Sequence, residues 1–481
     1  MPIAADSIKF GTDGWRGVIA ADFTFERLAL VAPVAARVLA DIYGETTGSR
    51  TIIVGYDRRF MAEEFAKKTA QVVRAAGFDV LLSECYAPTP AFSWAAKQQN
   101  ALGALVLTAS HNPASYLGLK VKGAFGGSVP PEITHKIEAQ LIQEPLTAEA
   151  LGNFQTFNPW PSYCEAIQSK VDLARIRELI AQGKLTVFAD VMHGAAAGGL
   201  SQILPNVPIQ EINSSRDPLF GGGAPEPLPR YLSQLFRAIR TQRRKQEDGL
   251  AIGLVFDGDS DRIAAVDGAG NFLSSQILIP VLIEHLAEHH HLSGEVVKTI
   301  SGSDLIPRVA ALYQLPVHET PIGYKYIADR MLCAQVLLGG EESGGIGYGN
   351  HIPERDALMS ALYLLEAIAF SGMDLSDLYK RLQARTGYTS TYDRIDLHLA
   401  NMEVRSRLLA QLQTQPLAKV ADQAVVDCQT TDGYKFRLAN DSWLLIRFSG
   451  TEPVLRLYCE AATPEQVRHT LNWAKDWANA V

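Results

Sequence analysis

Thr51-Ile-Ile-Val-Gly55, Ala62 to Ala76 and Phe78 to Leu82 follow one another closely, and their order decides the fold class. The first is a short β-branched run closed by a glycine, the pattern of a buried strand. The second places Phe65, Thr69, Val72, Val73 and Ala76 at helical intervals among charged residues, and Gly77 stops it. The third is another strand. Strand, helix and strand in this order predict α/β layers around a mostly parallel sheet. Ala101 to Thr108, Lys184 to Asp190, Leu250 to Phe256 and Val336 to Leu338 read as further strands, and Pro130-Pro131-Glu132 opens a helix. Towards the C-terminus, Ser442 to Phe448 and Pro453 to Cys459 read as paired strands. Thr463-Pro464-Glu465-Gln466 is a capped helix start, so this part reads as a smaller α+β domain. Asn153 to Pro161, the region after Asp257 and Ala384 to Tyr392 are candidate linkers.

The chain has 481 residues, which suggests about three or four domains. Hydrophobic residues are 47% and charged residues 20%, enough apolar material for packed cores without disulfide staples. The formal charge of −8 argues against nucleic-acid or anionic-membrane partners, and at first sight against any anionic ligand. Five scattered cysteines without a Cys-x-x-Cys pair fit free thiols in a reducing compartment. No signal-peptide pattern opens the sequence. The longest apolar stretches, Leu28 to Val38 and Ala357 to Phe370, are interrupted by Arg37 and Glu366 and are too short to span a bilayer. A cytoplasmic protein is expected.

In open α/β sheets ligands gather at the carboxyl ends of strands. Asp257-Gly-Asp-Ser-Asp-Arg262 follows such a strand, and its carboxylates alternate onto one side. Three anionic groups together favour a hard cation, Mg²⁺ by default. A solvated acidic turn is the bland alternative. An EF-hand is excluded because its twelfth position falls on Gly268. Thr108-Ala-Ser-His-Asn-Pro113 follows another strand and offers Ser110 as a nucleophile beside His111, or simply a turn broken at Asn-Pro. Arg447-Phe-Ser-Gly-Thr-Glu-Pro453 reads as a phosphate nest or as a plain hairpin turn. Gly340-Glu-Glu-Ser-Gly-Gly345 puts Glu341 where it can accept from sugar hydroxyls. No nucleotide-binding glycine motif is present. His285-Leu-Ala-Glu-His289 matches an inverted zinc-protease pattern, which makes a zinc protease a remote alternative; the neighbouring run Glu288 to His291 also suits a solvated helix end.

Taken in order with Phe10-Gly-Thr-Asp-Gly-Trp-Arg-Gly17, these four loops resemble the α-D-phosphohexomutase family across Phe10 to Pro453. The resemblance implies four domains around a central cleft: three related mixed α/β domains (1–160, 161–270 and 271–387) and a smaller α+β domain (388–481). It implies that Ser110 carries a phosphoryl group, and that Asp257, Asp259 and Asp261 hold one Mg²⁺ with an oxygen of that phosphoserine. Arg16, His111, Lys120 and Arg262 line the reacting centre, with Lys120 a general acid/base. Glu341 and Ser343 grip the sugar. Arg447, Ser449, Gly450 and Thr451 clamp the distal phosphate. Arg59 is a further basic position nearby.

The implied reaction interconverts glucose 1-phosphate and glucose 6-phosphate through glucose 1,6-bisphosphate, which also acts as activator. Glu319 to Lys325 resembles the glucose-type branch, in which Lys325 belongs to the specificity loop. Gly345 stands where mannose/glucose dual enzymes carry His, and Thr108-Ala-Ser110 leans away from phosphoglucosamine mutases. Phosphomannomutase and glucose-1,6-bisphosphate synthase, the latter using a donor such as fructose 1,6-bisphosphate, are the alternatives at the same site. The partner is a small phosphosugar, and the motifs carry no signal for oligomeric state. An acidic chain accommodates it if Arg16, Lys120, Arg262, Lys325 and Arg447 gather in the cleft.

Overall fold

The computed structural model describes residues 8–11, 13–141, 148–246, 249–449 and 453–480. The first sheet contains β1 (Phe10–Gly11), β2 (Gly14–Val18), β3 (Thr51–Tyr56), β4 (Asp79–Ser83), β5 (Gly103–Leu107), β6 (Tyr116–Gly123) and β7 (Phe154–Phe157), in the order β1-β2-β6-β5-β3-β4-β7. The second contains β8 (Leu185–Asp190), β9 (Ile209–Ile212), β10 (Leu250–Phe256), β11 (Ile263–Val266) and β12 (Phe272–Leu273), in the order β12-β11-β10-β8-β9. The third contains β13 (Glu295–Thr299), β14 (Val317–Thr320), β15 (Val336–Gly340) and β16 (Ile346–Tyr348), in the order β14-β13-β15-β16.

These three sheets share one unit. β5 runs parallel to β3 and antiparallel to β6. β10 runs parallel to β8 and antiparallel to β11. β15 runs parallel to β13 and antiparallel to β16. In each, a buried apolar strand ends, the chain turns, and the next strand returns beside it. The three turns carry the serine, aspartate and glutamate motifs. β5 and β15 are buried throughout, and β10 in all but its first residue, because neighbouring elements cover both faces of the sheet.

The fourth sheet contains β17 (Thr391–His398), β18 (Lys419–Val420), β19 (Gln423–Gln429), β20 (Tyr434–Leu438), β21 (Trp443–Phe448) and β22 (Val454–Ala461), in the order β17-β22-β21-β20-β19-β18. It is covered by the helix Pro464–Asn479, whose expected cap is present: Thr463 accepts from the Gln466 amide.

Two expected linkers are corrected. Asn153 to Pro161 contains β7, which pairs with β4 and closes one edge of the first sheet. The region after Asp257 contains β11 and β12, which complete the second sheet. Short strands next to Asn, Pro and Gly read as loops because their pairing partners are distant in sequence.

One apolar core runs from Ile53 and Phe92 through Leu254 and Leu282 to Leu364 and Leu382, binding the first three sheets together. The fourth sheet has its own core around Leu408, Ile446, Leu457 and Leu471. It docks through buried Glu460, which accepts from Trp443 Nε1 at 2.6 Å, the Asp304 amide at 2.8 Å and the Ser303 hydroxyl.

No single helix among the described residues is long and apolar enough to cross a membrane. The apolar stretch at Ala357 becomes a helix, Ala357–Ser371, buried along almost its whole length. Its one carboxylate, Glu366, accepts from His285 Nε2 at 2.7 Å, His290 Nε2 at 2.6 Å and the Asp172 amide at 2.6 Å. The ligand atoms that meet are those of His285, His290 and Glu366, not the His285, Glu288 and His289 of the inverted zinc-protease pattern. His285 and His290 converge on Glu366, while exposed Glu288 accepts from the Tyr313 hydroxyl at 2.8 Å.

Burial pushes the Glu366 carboxyl upward, but its hydrogen bonds from the histidines and from Asp172 outweigh that and hold it down at about 2. A depressed carboxyl contributes stability above its unfolded-state value, and that contribution is lost as pH falls through the folded value. Glu366→Ala should cost about 3 kcal/mol in urea unfolding at neutral pH, because buried His285 and the part-buried donors His290 and the Asp172 N–H lose their acceptor. Glu366→Gln should flatten the loss of stability that wild type shows between the ordinary glutamate range and about pH 2.

Candidate active site

The β5–β6 turn holds Ser110 with φ +51°, a left-handed conformation that side chains other than glycine rarely adopt. Arg59 fixes that turn. Its buried guanidinium donates to the carbonyls of Asn112 at 2.7 Å, Pro113 at 3.0 Å and Tyr116 at 3.1 Å, and to that of Ser110. These bonds all go to backbone, so Arg59 braces the turn, while its Nε lies 3.4 Å from the buried carboxylate of Asp57. Asp57 extends the frame by accepting from the Thr108 hydroxyl at 2.6 Å, and Thr108 Oγ1 in turn accepts the Ser110 amide at 2.9 Å.

Ser110 Oγ donates to Asp257 Oδ2 at 2.8 Å and lies 3.3 Å from His111 Nδ1. Burial, with Arg262 and Arg16 nearby, holds His111 well below the usual histidine range. Arg16 donates to Asn112 Oδ1 at 2.6 Å, which brings it to the same turn.

The β10–β11 turn supplies Asp257, Asp259 and Asp261, all 0% exposed, with one oxygen of each within 4.8 Å of the others. Asp257 Oδ1 accepts the amides of Asp261 and Arg262, both at 3.0 Å. Asp259 Oδ1 and Asp261 Oδ1 are buried without a hydrogen-bond partner. Burial and the two neighbouring carboxylates push Asp257 well above the carboxylate range. Two orphaned oxygens, an all-oxygen donor set and mutual repulsion fit a divalent hard cation. The triad can hold one.

Lys120 lies against these carboxylates, 2.7 Å from Asp259 Oδ2, 2.7 Å from Asp261 Oδ2 and 2.8 Å from Asp13 Oδ2. Burial works against its charge, but the three carboxylates outweigh it and raise the amine well above its usual value. The same pairing holds Asp259 low against the upward push of burial, helped by the Thr89 hydroxyl at 2.5 Å. Lys122, two residues along β6 and so on the same face, lies 2.6 Å from Glu354 Oε2 and 3.3 Å from Asp13 Oδ1. Arg355 pairs with Asp13, and with Asp261 at 2.7 Å.

The β15–β16 turn carries Glu341, which burial raises to about 7. Beside it a cavity of about 440 Å³ is lined by Arg262, Phe272, Ser343, Tyr392 and Arg394, among others. Arg262 and Ser343 thus share one space. Arg447, at the end of β21, is held by Asp432 with both oxygens 3.0 Å from Nε. Ser449 is partly buried and its carbonyl accepts from Arg405 Nε at 2.7 Å. Gly450 and Thr451 lie outside the described residues. Lys325, on the helix Tyr324–Cys333, makes no ion pair among the described residues and lies 4.9 Å from the Tyr326 ring.

Of the cations expected in the cleft, Lys120 is paired with Asp13, Asp259 and Asp261, and Arg447 with Asp432. Sequence reading missed Asp13, Thr89, Lys122, Glu354 and Arg355. Two lysines at alternate positions of an apolar strand, and Glu354-Arg-Asp356 just before a buried helix, are the available signals.

Comparison with known proteins fits this geometry. Profiles described as phosphoglucomutase/phosphomannomutase alpha/beta/alpha domains I, II and III match residues 7–147, 161–270 and 274–386, and the C-terminal domain profile matches residues 401–472. The phosphoglucomutase/phosphomannomutase of Thermococcus kodakarensis is 28% identical over 96% of this chain and 96% of its own. The phosphoglucosamine mutase of Thermotoga maritima is 29% identical over 95% of this chain and 96% of its own. A solved structure described as a phosphomannomutase of Thermus thermophilus is 32% identical, with a TM-score of 0.83 over 98% of this chain and 99% of its own. With all four domain profiles matched in order, the chain belongs to the phosphoglucomutase/phosphomannomutase family of phosphohexomutases, isomerases that transfer a phosphoryl group within a sugar phosphate.

Proposed function

We propose that this enzyme interconverts glucose 1-phosphate and glucose 6-phosphate, with Ser110 as the phosphoryl carrier. The observation that carries this reading is the 2.8 Å bond from Ser110 Oγ to Asp257, which joins the serine turn to the aspartate turn in a buried site. Each domain has one task. Residues 1–160 present the phosphoserine, 161–270 the metal loop, 271–387 the sugar loop and 388–481 the distal-phosphate loop. Asp257, Asp259 and Asp261 would hold Mg²⁺ together with a phosphoserine oxygen, where it supplies Lewis-acid stabilisation of the charge on the phosphoryl oxygens.

Phosphoserine 110 gives its phosphoryl group to the free sugar hydroxyl. The Ser110 Oγ–P bond breaks and a sugar O–P bond forms, giving glucose 1,6-bisphosphate. His111 and Lys120 are the two proton carriers: one takes the proton of the attacking hydroxyl and the other gives one to the departing serine oxygen. In the return step the bisphosphate presents its other phosphate, Ser110 attacks, and the two proton carriers exchange roles. Arg16 and Arg262 face the phosphoryl group in flight. Glu341 and Ser343 hold sugar hydroxyls, and Arg447, Ser449, Gly450 and Thr451 hold the phosphate that does not react. Lys325 reads the sugar from the specificity loop. Glucose rests on the loop around Lys325 and on Gly345; the relatives are named for mannose, glucose and glucosamine phosphates.

A substrate panel tests the choice of sugar. Glucose 1-phosphate should be turned over at a kcat/KM at least about 10-fold above mannose 1-phosphate and glucosamine 1-phosphate. A higher value for either competitor overturns glucose. With glucose 6-phosphate and fructose 1,6-bisphosphate supplied together, glucose 1-phosphate should accumulate; net accumulation of glucose 1,6-bisphosphate would assign the bisphosphate-synthase outcome instead. Ser110→Ala should lower kcat by on the order of 10³-fold or more and abolish the phosphate adduct in intact-mass spectra. Asp259→Asn should weaken Mg²⁺ binding in titration calorimetry without preventing folding, since its partner Lys120 keeps Asp13 and Asp261.

A further inference from the structure

Arg355 has no role in the phosphoryl transfer proposed above, yet its guanidinium meets the aspartate turn, the sugar turn and Asp13 beside β2. It lies just before the buried helix Ala357–Ser371, and its side chain is 6% exposed. One terminal nitrogen pairs with Asp13, next to β2, and with Asp261 Oδ2 of the aspartate turn at 2.7 Å. The other faces Glu341 Oε2 of the sugar turn at 3.7 Å. Glu354 Oε1 lies 3.9 Å from Nε, and the Tyr324 ring covers the guanidinium at 5.3 Å. A fork of fixed geometry thus touches groups from three sheets at once.

The backbone around it is joined to match. The Ile263 amide donates to the Gly344 carbonyl at 3.0 Å, and the Glu341 amide to the Gly345 carbonyl at 2.9 Å. Arg262 and Gly345 form a bridge between the second and third sheets. A β-carbon at Gly345 would fall on the Arg355 stem and within 3.3 Å of Glu341 Oε2, so that stem would have to shift. The missing side chain is the passage through which Arg355 reaches Asp261.

We propose that Arg355 is a positioning residue for phosphoryl transfer: one guanidinium sets both the third aspartate of the metal loop and the sugar-gripping Glu341, and Gly345 is bare to admit it. This rests on the roles assigned above to those two loops. Arg355 meets no reacting atom; it acts through Asp261 and Glu341. When it is lost, Asp261 drops out of register with the other two aspartates, and Glu341 loses its counter-charge.

The test compares wild type, Arg355→Ala, Arg355→Lys and Gly345→Ala by steady-state kinetics, titration calorimetry with Mg²⁺, and thermal unfolding. Arg355→Ala should lower kcat by about 10–100-fold and weaken Mg²⁺ binding by a similar factor. KM for glucose 1-phosphate should move by less than about 5-fold. Free guanidinium ion should restore part of the lost kcat in Arg355→Ala and none in wild type. Arg355→Lys, which keeps the charge without the fork, should fall between. Gly345→Ala should weaken Mg²⁺ binding by displacing the Arg355 stem, although it alters no ligand. A folded Arg355→Ala protein with wild-type kcat and Mg²⁺ affinity overturns the proposal, as does a loss of thermal stability alone. Should Arg355→Ala be insoluble, the Mg²⁺ affinities of Arg355→Lys and Gly345→Ala decide it, and wild-type values for both overturn it. Wild-type protein inactive on every hexose phosphate would overturn the assigned function instead, a result read before any variant is made.

Discussion

Asp257, Asp259 and Asp261 cannot be buried together unless positive charge is placed among them. The rest of the active region is arranged around that requirement. Asp13 and Glu354 add two more carboxylates, and Lys120, Lys122 and Arg355 interleave with them. Because these groups come from different sheets, the electrostatic demand of one loop becomes a reason for three domains to sit where they do. The apolar core from Ile53 to Leu382 supplies the cohesion. The ionic network supplies the register, since buried charges tolerate little misplacement.

The division between what sequence shows and what it hides follows sequence distance. Strands β5, β10 and β15 announce themselves as short apolar runs, and the turns after them carry dense, unusual residue sets. The aspartate triad, Ser110 and Glu341 were therefore readable from local pattern. Asp13 and Arg355 were not, although Asp13 sits inside a quoted motif, because their meaning comes from partners hundreds of residues away. Arg59 was legible as a nearby cation, but its role as a brace depends on which way four carbonyls point. β7 was missed for a like reason: four residues beside Asn and Pro read as a linker until β4 is placed alongside. His285 and Glu366 show the converse. A helical pair suggested a metal-binding pattern, while the partner that settles the chemistry lies on another helix.

The fourth domain has a core of its own. It docks through Glu460 and its neighbours and through an apolar cluster in which Ile300 packs with Trp443, Leu445 and Tyr458. Arg447 and Ser449, proposed above to hold the distal phosphate, sit on a β21–β22 hairpin of a sheet that is antiparallel throughout. The wall proposed for that phosphate thus belongs to a separately packed unit, apart from the three walls that carry the serine, aspartate and sugar turns.

Each of those three walls ends in a turn whose two stems are neighbouring strands of one sheet. The ends of such a turn are pinned a single strand spacing apart, which fixes where its side chains start from. On the function proposed above, a sugar presented in two opposite orientations meets the same turns each time. One set of donors and acceptors then has to serve both faces of the ring.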